Sequence, residues 1–170
     1  MGTRGYYGFR YKKKYYMIYN HFDSYFSYLG KHLLDEIKEM INNDEFDVWL
    51  ETFIALKIVT ESDRPTDEDI EKCMKYYDDS VGYGSPDNYY SLLRKCQGSY
   101  KKVLESGYAL IHPNATLAND LWIEYAYMLD LDKKQFHIVH NKVTKIYNFD
   151  ELKNVNEFKE SDFGVDSDED

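Results

Sequence analysis

The first 20 residues alternate between two sets of side chains, which is the pattern of β-strands. In residues 6–11 and again in residues 15–20, aromatic and aliphatic side chains recur at every second position. Three lysines at positions 12–14 separate the two runs and leave room for a tight turn. This pattern predicts an antiparallel hairpin at the start of the chain.

A second pair of runs, residues 121–129 and 135–140, lies late in the chain on either side of the charged segment 130–134. It predicts a second hairpin. Two hairpins around a helical middle favour an α+β fold, with one antiparallel sheet of four or more strands covered by four or five helices. Residues 146–152 would add an edge strand or a final turn. We expect a single domain over residues 1–153.

Five segments between the hairpins have helical spacing. The first repeats apolar residues at intervals of three and four up to about Ile41. The second begins near Asp44 and has a wide apolar band, which predicts a central, buried position. The third begins at Thr66 and Asp69, whose spacing resembles a capping box. The last, a short helix, ends at Gly107.

Charge is spread unevenly along the chain, whose formal net charge is −10. Residues 1–22 contain five basic residues and no acid, whereas residues 157–170 contain seven acids and one lysine. Apolar residues become sparse from about Asn154, which predicts an acidic, disordered tail over residues 154–170. The acidic balance argues against direct sequence-specific binding of nucleic acid.

Length and composition indicate a soluble, intracellular protein. The chain has 170 residues, of which 43% are hydrophobic, and it contains neither a membrane-length apolar run nor a signal peptide core. Cys73 and Cys96 fall in separate predicted helices, which favours reduced, buried thiols over a disulfide or a zinc site.

One polar cluster has the residue types of a catalytic site. Asn20, His21 and Asp23 follow the first hairpin, and a histidine beside a carboxylate could activate Cys73 or Cys96 as the nucleophile of a small hydrolase or transferase. No spacing rule joins these residues. A helix-capping aspartate and a surface histidine account for the same sequence.

Two further patterns point to chemistry only weakly. Thr3 would act as an N-terminal nucleophile only after unusual processing, because ordinary removal of Met1 exposes Gly2. Asp130 and Asp132 could hold a divalent cation or form a turn between two strands. The sequence therefore predicts no cofactor and no metal site.

Residues 28–34 match the pattern Y-x-x-x-x-L-Φ, by which translation regulators dock the cap-binding initiation factor. Tyr28, Leu33 and Leu34 would share one helical face and offer an aromatic and two aliphatic anchors to a groove. The same leucines also suit the core. We predict Tyr28, Leu33 and Leu34 as the protein-binding residues.

The opening MGTRGYYGFRYKKKYYMIYNHFDSYFSYLG and, less closely, LWIEYAYMLDLDKKQFHIV resemble an uncharacterised family of giant, mimivirus-like DNA viruses that also occurs in fungi and bacteria. The similarity covers both hairpins and the first helix. Lys13 replaces a turn glycine of that family, and Phe26 replaces a proline. Because the family has no assigned activity, the resemblance implies a fold and a viral origin but no reaction.

These observations predict a non-enzymatic protein-interaction or adaptor module. Its partner would be a protein, with a cap-binding translation initiation factor as the one concrete candidate, and no membrane is involved. The expected location is the host cytoplasm or a viral factory. Two alternatives stay open at this point, namely a hydrolase or transferase that uses His21 and Asp23, and a structural component of the virion.

Overall fold

The computed structural model describes residues 3–81, 84–117 and 123–165. The strands are β1 (Gly5–Tyr11), β2 (Lys14–Asn20), β3 (Lys57–Val59), β4 (Tyr108–Leu110), β5 (Tyr125–Asp130), β6 (Gln135–His140) and β7 (Val143–Asn148). The α-helices are α1 (Lys31–Asn42), α2 (Phe46–Ile54), α3 (Asp67–Cys73), α4 (Tyr89–Leu92), α5 (Tyr100–Ser106) and α6 (Phe149–Leu152). A π-helical turn, Phe26–Gly30, leads into α1, and 3₁₀ turns occupy Met74–Tyr76, Arg94–Cys96 and Glu160–Phe163.

The main sheet has five strands in the order β2-β1-β5-β6-β7. Neighbouring strands are antiparallel except for β1 and β5, which run parallel with Gly5 opposite Tyr125. The predicted α+β class is confirmed, but the expectation of a wholly antiparallel sheet is wrong at this pair. A parallel pair needs a long crossover connection, and the helical segment between β2 and β5 supplies it.

A second, smaller sheet pairs β3 with β4 in parallel, Lys57 opposite Tyr108. It lies beside α3 and α4 and has a small core of its own, made of Val59, Cys73, Tyr89, Leu92, Leu93 and Tyr108. Three-residue strands carry too few alternating positions to show a period.

The turns β1–β2 and β5–β6 lie side by side and are joined by one carboxylate. Lys12 and Lys13 have φ angles of 50° and 66°, as a type I′ turn requires, although lysine lacks the freedom of glycine there. Their backbone N–H groups donate to Asp132 at 2.8 and 3.0 Å. Asp130 in turn accepts from the N–H groups of Asp132 and Lys133 at 2.9 and 3.0 Å.

The main core lies between one face of the five-stranded sheet and helices α1, α2 and α5. The residues of α1 that pack there are Leu33, Leu34, Ile37 and Met40. Helix α2 buries only Trp49 and Phe53 and leaves Val48 and Ile54 more than half exposed. Its predicted central position is wrong, because one stripe of the helix meets the core while the opposite side faces solvent.

A buried carboxylate ties two of these helices together. Glu36 of α1 accepts hydrogen bonds from the Ser99 hydroxyl at 2.6 Å and from the Tyr100 backbone N–H at 2.8 Å. Both donors lie at the first turn of α5, where the backbone N–H groups have no partner within the helix. The negative charge of Glu36 also suits the positive end of the α5 dipole.

Residues 154–165, here called the C-terminal strap, pack against the main core. Phe158 and Phe163 are buried, and their ring centroids lie 6.1 and 4.8 Å from that of Phe26. The prediction of a disordered tail from Asn154 is therefore wrong as far as Val165, and residues 166–170 lie outside the described residues. The prediction rested on the polar average composition of this segment. It overlooked Phe158 and Phe163, whose burial stabilises the contact of the strap with the core.

Replacing Asp132 by alanine tests the link between the two turns. The N–H groups of Lys12 and Lys13 would lose their carboxylate partner, and water would replace it only in part. We expect Asp132→Ala to lower the free energy of unfolding by about 1 kcal/mol in urea denaturation. The control is Asp150→Ala, whose side chain is 96% exposed; an equal effect of both substitutions would contradict the proposed link.

Candidate functional site

The three predicted protein-binding residues do not share an accessible face. Tyr28 lies in the π-helical turn and is 60% exposed, whereas Leu33 and Leu34 of α1 are 0% exposed. The predicted three-residue docking face is therefore wrong. A separation of five or six residues places side chains on different sides of a helix, and the sheet needs both leucines for its core.

Tyr28 instead lies next to Tyr25, which lines a groove between the π-helical turn and the C-terminal strap, here called the Tyr25–Tyr28 groove. Its volume is about 580 Å³. The residues that line it are Tyr25, Phe26, Ser27, Lys31, Tyr125, Glu157, Phe158 and Glu160. The Tyr25 ring lines the groove, and the Tyr28 ring lies 6.3 Å from it, so exposed aromatic surface lies close to two carboxylates.

The floor of the groove is held by a polar network. The Tyr125 hydroxyl donates to Glu160 at 2.5 Å, and Nε2 of His140 lies 2.7 Å from the other oxygen of Glu160. The His140 ring stacks on Tyr125 with centroids 4.0 Å apart. Its Nδ1 lies 2.8 Å from the backbone oxygen of Glu124, so both ring nitrogens of His140 have polar partners.

Burial and the neighbouring carboxylate of Glu160 raise the pKa of Tyr125. The phenol is therefore a neutral hydrogen-bond donor at every physiological pH. Glu160 belongs to the strap, whereas Tyr125 and His140 belong to the sheet. The network thus fixes one wall of the groove to the other.

Glu157 is the carboxylate of the groove that has no ion-pair partner among the described residues. It is exposed and, within the described ranges, takes part in no ion pair. Lys31, the one lysine or arginine among the described residues that line the groove, lies 2.5 Å from Asp35 on the next turn of α1. The groove as a whole is consequently acidic and aromatic.

The predicted catalytic residues His21 and Asp23 do not come together in one site. Nδ1 of His21 lies 2.7 Å from the Tyr19 hydroxyl, and the His21 backbone N–H donates to Gln97. Asp23 is exposed in a left-handed turn with φ 53°. Among the residues that the structure describes, no hydrogen bond or ion pair joins His21 to Asp23. Burial, followed by the charges of two arginines, lowers the pKa of His21.

Neither cysteine is a poised nucleophile. Cys73 and Cys96 are free and buried. Burial raises the pKa of the Cys73 thiol to about 11 and that of the Cys96 thiol to about 12. Both are therefore protonated near neutral pH, and neither thiol forms a hydrogen bond to His21 in the described part of the chain.

The other residues considered for catalysis or metal binding, Thr3, Asp130 and Asp132, lie at structural positions in the fold. Thr3 is 1% exposed, its backbone oxygen accepts from Ser24, and its hydroxyl is buried without a hydrogen-bond partner. Asp130 and Asp132 bind backbone N–H groups of the two turns. No group of three or more metal-ligating side chains occurs within residues 3–81, 84–117 and 123–165.

The sequence did not reveal a buried network around Asp69. This carboxylate accepts from the Tyr108 hydroxyl at 2.5 Å, the Tyr89 hydroxyl at 2.9 Å and Lys57 at 3.1 Å. It also completes the capping box with Thr66, as the spacing predicted. Burial alone would raise the pKa of Asp69, but the hydrogen bonds, led by that from Tyr108, outweigh it and lower the pKa.

Asp69→Asn should destabilise the protein and change its dependence on pH. The folded-state pKa lies below the unfolded value of about 3.9, so the stabilisation is complete above that value and declines as the pH falls. We expect a loss of roughly 2–4 kcal/mol near neutral pH that shrinks in acid. Urea denaturation between pH 3 and 7 measures it, with the 75% exposed Glu68 as the control Glu68→Gln.

Alanine substitutions at Tyr28, Leu33 and Leu34 should differ in their effect on stability, because the two leucines are buried and the tyrosine is exposed. We expect Leu33→Ala and Leu34→Ala each to lower the free energy of unfolding by about 2–5 kcal/mol because each leaves a cavity in the core. Tyr28→Ala should change it by less than about 0.5 kcal/mol. Chemical denaturation measures all three, and leucine variants as stable as the wild type would contradict the burial described above.

No helix in the described part of the chain is long and apolar enough to cross a membrane. Comparison with protein-family models, with curated proteins and with solved structures finds no match to this chain. The resemblance of its opening residues to a giant-virus family stays a prediction.

Proposed function

We propose that this protein is a non-enzymatic interaction module that binds a partner protein through the Tyr25–Tyr28 groove. The observation that carries the proposal is a pair of exposed tyrosines at an aromatic groove. Tyr25 lines the groove and is 38% exposed, and the neighbouring Tyr28 is 60% exposed. Tyrosine is enriched at the centres of protein interfaces because it offers a large, stiff surface and a polar tip.

The groove has the features of a preformed binding site. Its volume of about 580 Å³ lies within the usual range for clefts that hold ligand groups. Its walls are fixed by the contacts of Glu160 with Tyr125 and His140 and by the burial of Phe158. A partner would therefore bind with little ordering of the module itself, which lowers the entropic cost of association.

The proposal keeps Tyr28 as a binding residue and leaves out Leu33 and Leu34. A cap-binding initiation factor that needs all three anchors would have to unfold α1 to reach the leucines, so we do not extend the proposal to that factor. The resemblance to the giant-virus family supports an interaction in an infected cell, in the host cytoplasm or a viral factory.

The test is quantitative affinity purification from infected-cell extract, with Tyr25→Ala/Tyr28→Ala compared with the wild type. Loss of both rings should reduce recovery of the direct partner at least about tenfold, as expected for residues worth more than 1.4 kcal/mol in binding. The matched control is Phe22→Ala. Phe22 is a 50% exposed aromatic residue whose ring contacts in the described structure, with His21 and Arg94, lie away from the groove.

Circular dichroism and thermal denaturation must show that the variants fold. If a folded Tyr25→Ala/Tyr28→Ala variant retains the partners of the wild type, the groove is not the interaction site. Equal losses in the double variant and in Phe22→Ala would also contradict the proposal, since they would indicate non-specific binding to exposed aromatic rings.

A further inference from the structure

We infer that the Tyr25–Tyr28 groove binds a cationic side chain, arginine or lysine, from an extended basic segment of the partner protein. This inference rests on the proposed function and specifies the chemistry of the partner. It follows from three properties of the groove, namely its uncompensated carboxylate, its unoccupied aromatic rings and the charge of the molecule around it.

The uncompensated carboxylate is that of Glu157. A partner that covered Glu157 with an apolar or anionic surface would remove its charge from water without compensation, at a high cost in free energy. A guanidinium or ammonium group would pair with it instead. Lys31 does not fill this role, because it already pairs with Asp35. Lys38 also reaches the strap, but its ammonium group donates to the backbone oxygen of Val155 and to Asn156 and forms no ion pair with Glu157 among the described residues.

The exposed rings of Tyr25, which lines the groove, and of the neighbouring Tyr28 are open to a cation. Elsewhere in the described structure, lysines stack on aromatic rings at 4.9–5.8 Å, as Lys134 does on Phe46 and Lys75 on Tyr76. Over the described residues, no lysine or arginine stacks in this way on Tyr25 or Tyr28. A cation within about 6 Å of a tyrosine ring gains a cation–π attraction that is additional to its ion pair.

The net charge of the protein also favours a basic partner. A net charge of −10 attracts basic segments over long distances and raises their association rate at low salt. Nucleic acid is disfavoured for the same reason, because its phosphates would meet the carboxylates of the groove. A basic protein segment is the occupant that the groove fits.

Peptide titrations followed by NMR test the inference directly. The probes are three peptides of equal length that alternate glycine with arginine, serine or glutamate, and each is added to the ¹⁵N-labelled full chain. We expect the arginine peptide to shift the amides of Tyr25, Tyr28 and Glu157 selectively. The serine peptide should bind at least about tenfold more weakly, and the glutamate peptide should not bind.

Matched variants identify the groups responsible. Glu157→Gln and Tyr28→Leu should each weaken binding of the arginine peptide about 3–10-fold. Glu157→Gln removes the negative charge, and Tyr28→Leu removes the aromatic face while keeping an apolar side chain. The control for Glu157 is Glu51→Gln, an exposed glutamate on α2 without an ion pair among the described residues. It should change the affinity less than about twofold.

Several results would overturn the inference. They are equal effects of Glu157→Gln and Glu51→Gln, shifts spread over the whole surface, and equal binding of the serine and arginine peptides. Concentration-dependent self-association that Glu157→Gln abolishes would also overturn it, since the occupant would then be a second copy with its basic turn at residues 12–14.

The failure of this inference can be distinguished from the failure of the proposed function. If capture of the partner depends on Tyr25 and Tyr28 but not on Glu157, and the arginine peptide does not bind, the groove is an interaction site for a partner without the inferred charge. If capture depends on none of the three residues, the proposed function itself fails.

Discussion

The parallel pair β1–β5 is the constraint on which the rest of the fold depends. It places Tyr7 beside Tyr127 and Phe9 beside Leu129, so that strands from opposite ends of the chain present one continuous apolar face. Helices α1, α2 and α5 can bury their apolar stripes only against a face of that width. Without the pair, each group of strands would be a small sheet with an exposed edge and little stability of its own.

Buried tyrosines connect this sheet to the layer above it. The hydroxyls of Tyr7, Tyr100 and Tyr127 each reach a backbone group of another segment, at Gly98, Gly8 and Ser24 respectively, over 2.8–2.9 Å. Burial raises the pKa of each of these phenols, which keeps them neutral. The 18 tyrosines of the chain are thus not only surface residues, since several combine apolar area with a specific hydrogen bond.

Several local patterns in the sequence predicted local features correctly, and most of the failures concern distant contacts. The docking face of Tyr28, Leu33 and Leu34 is an exception, because separations of five and six residues do not share one side of a helix. The spacing of Thr66 and Asp69 predicted their capping box, but nothing near them indicated that Tyr89 and Tyr108 would reach the same carboxylate. The period of α1 placed Leu33 and Leu34 on an apolar stripe, yet only the structure shows that the sheet occupies it. The Tyr25–Tyr28 groove was not predictable because its walls come from the π-helical turn, β5 and the strap.

The β1–β5 pair also has a consequence for how the protein is made. Arg10 and Asp130, which face each other across this pair, are 120 positions apart in the chain. At about 5–20 residues per second, a ribosome needs roughly 6–24 s to synthesise that distance. During this interval the nascent first strands expose an aromatic face and an unpaired edge, so we expect molecular chaperones to determine how much of the newly made protein reaches the folded state.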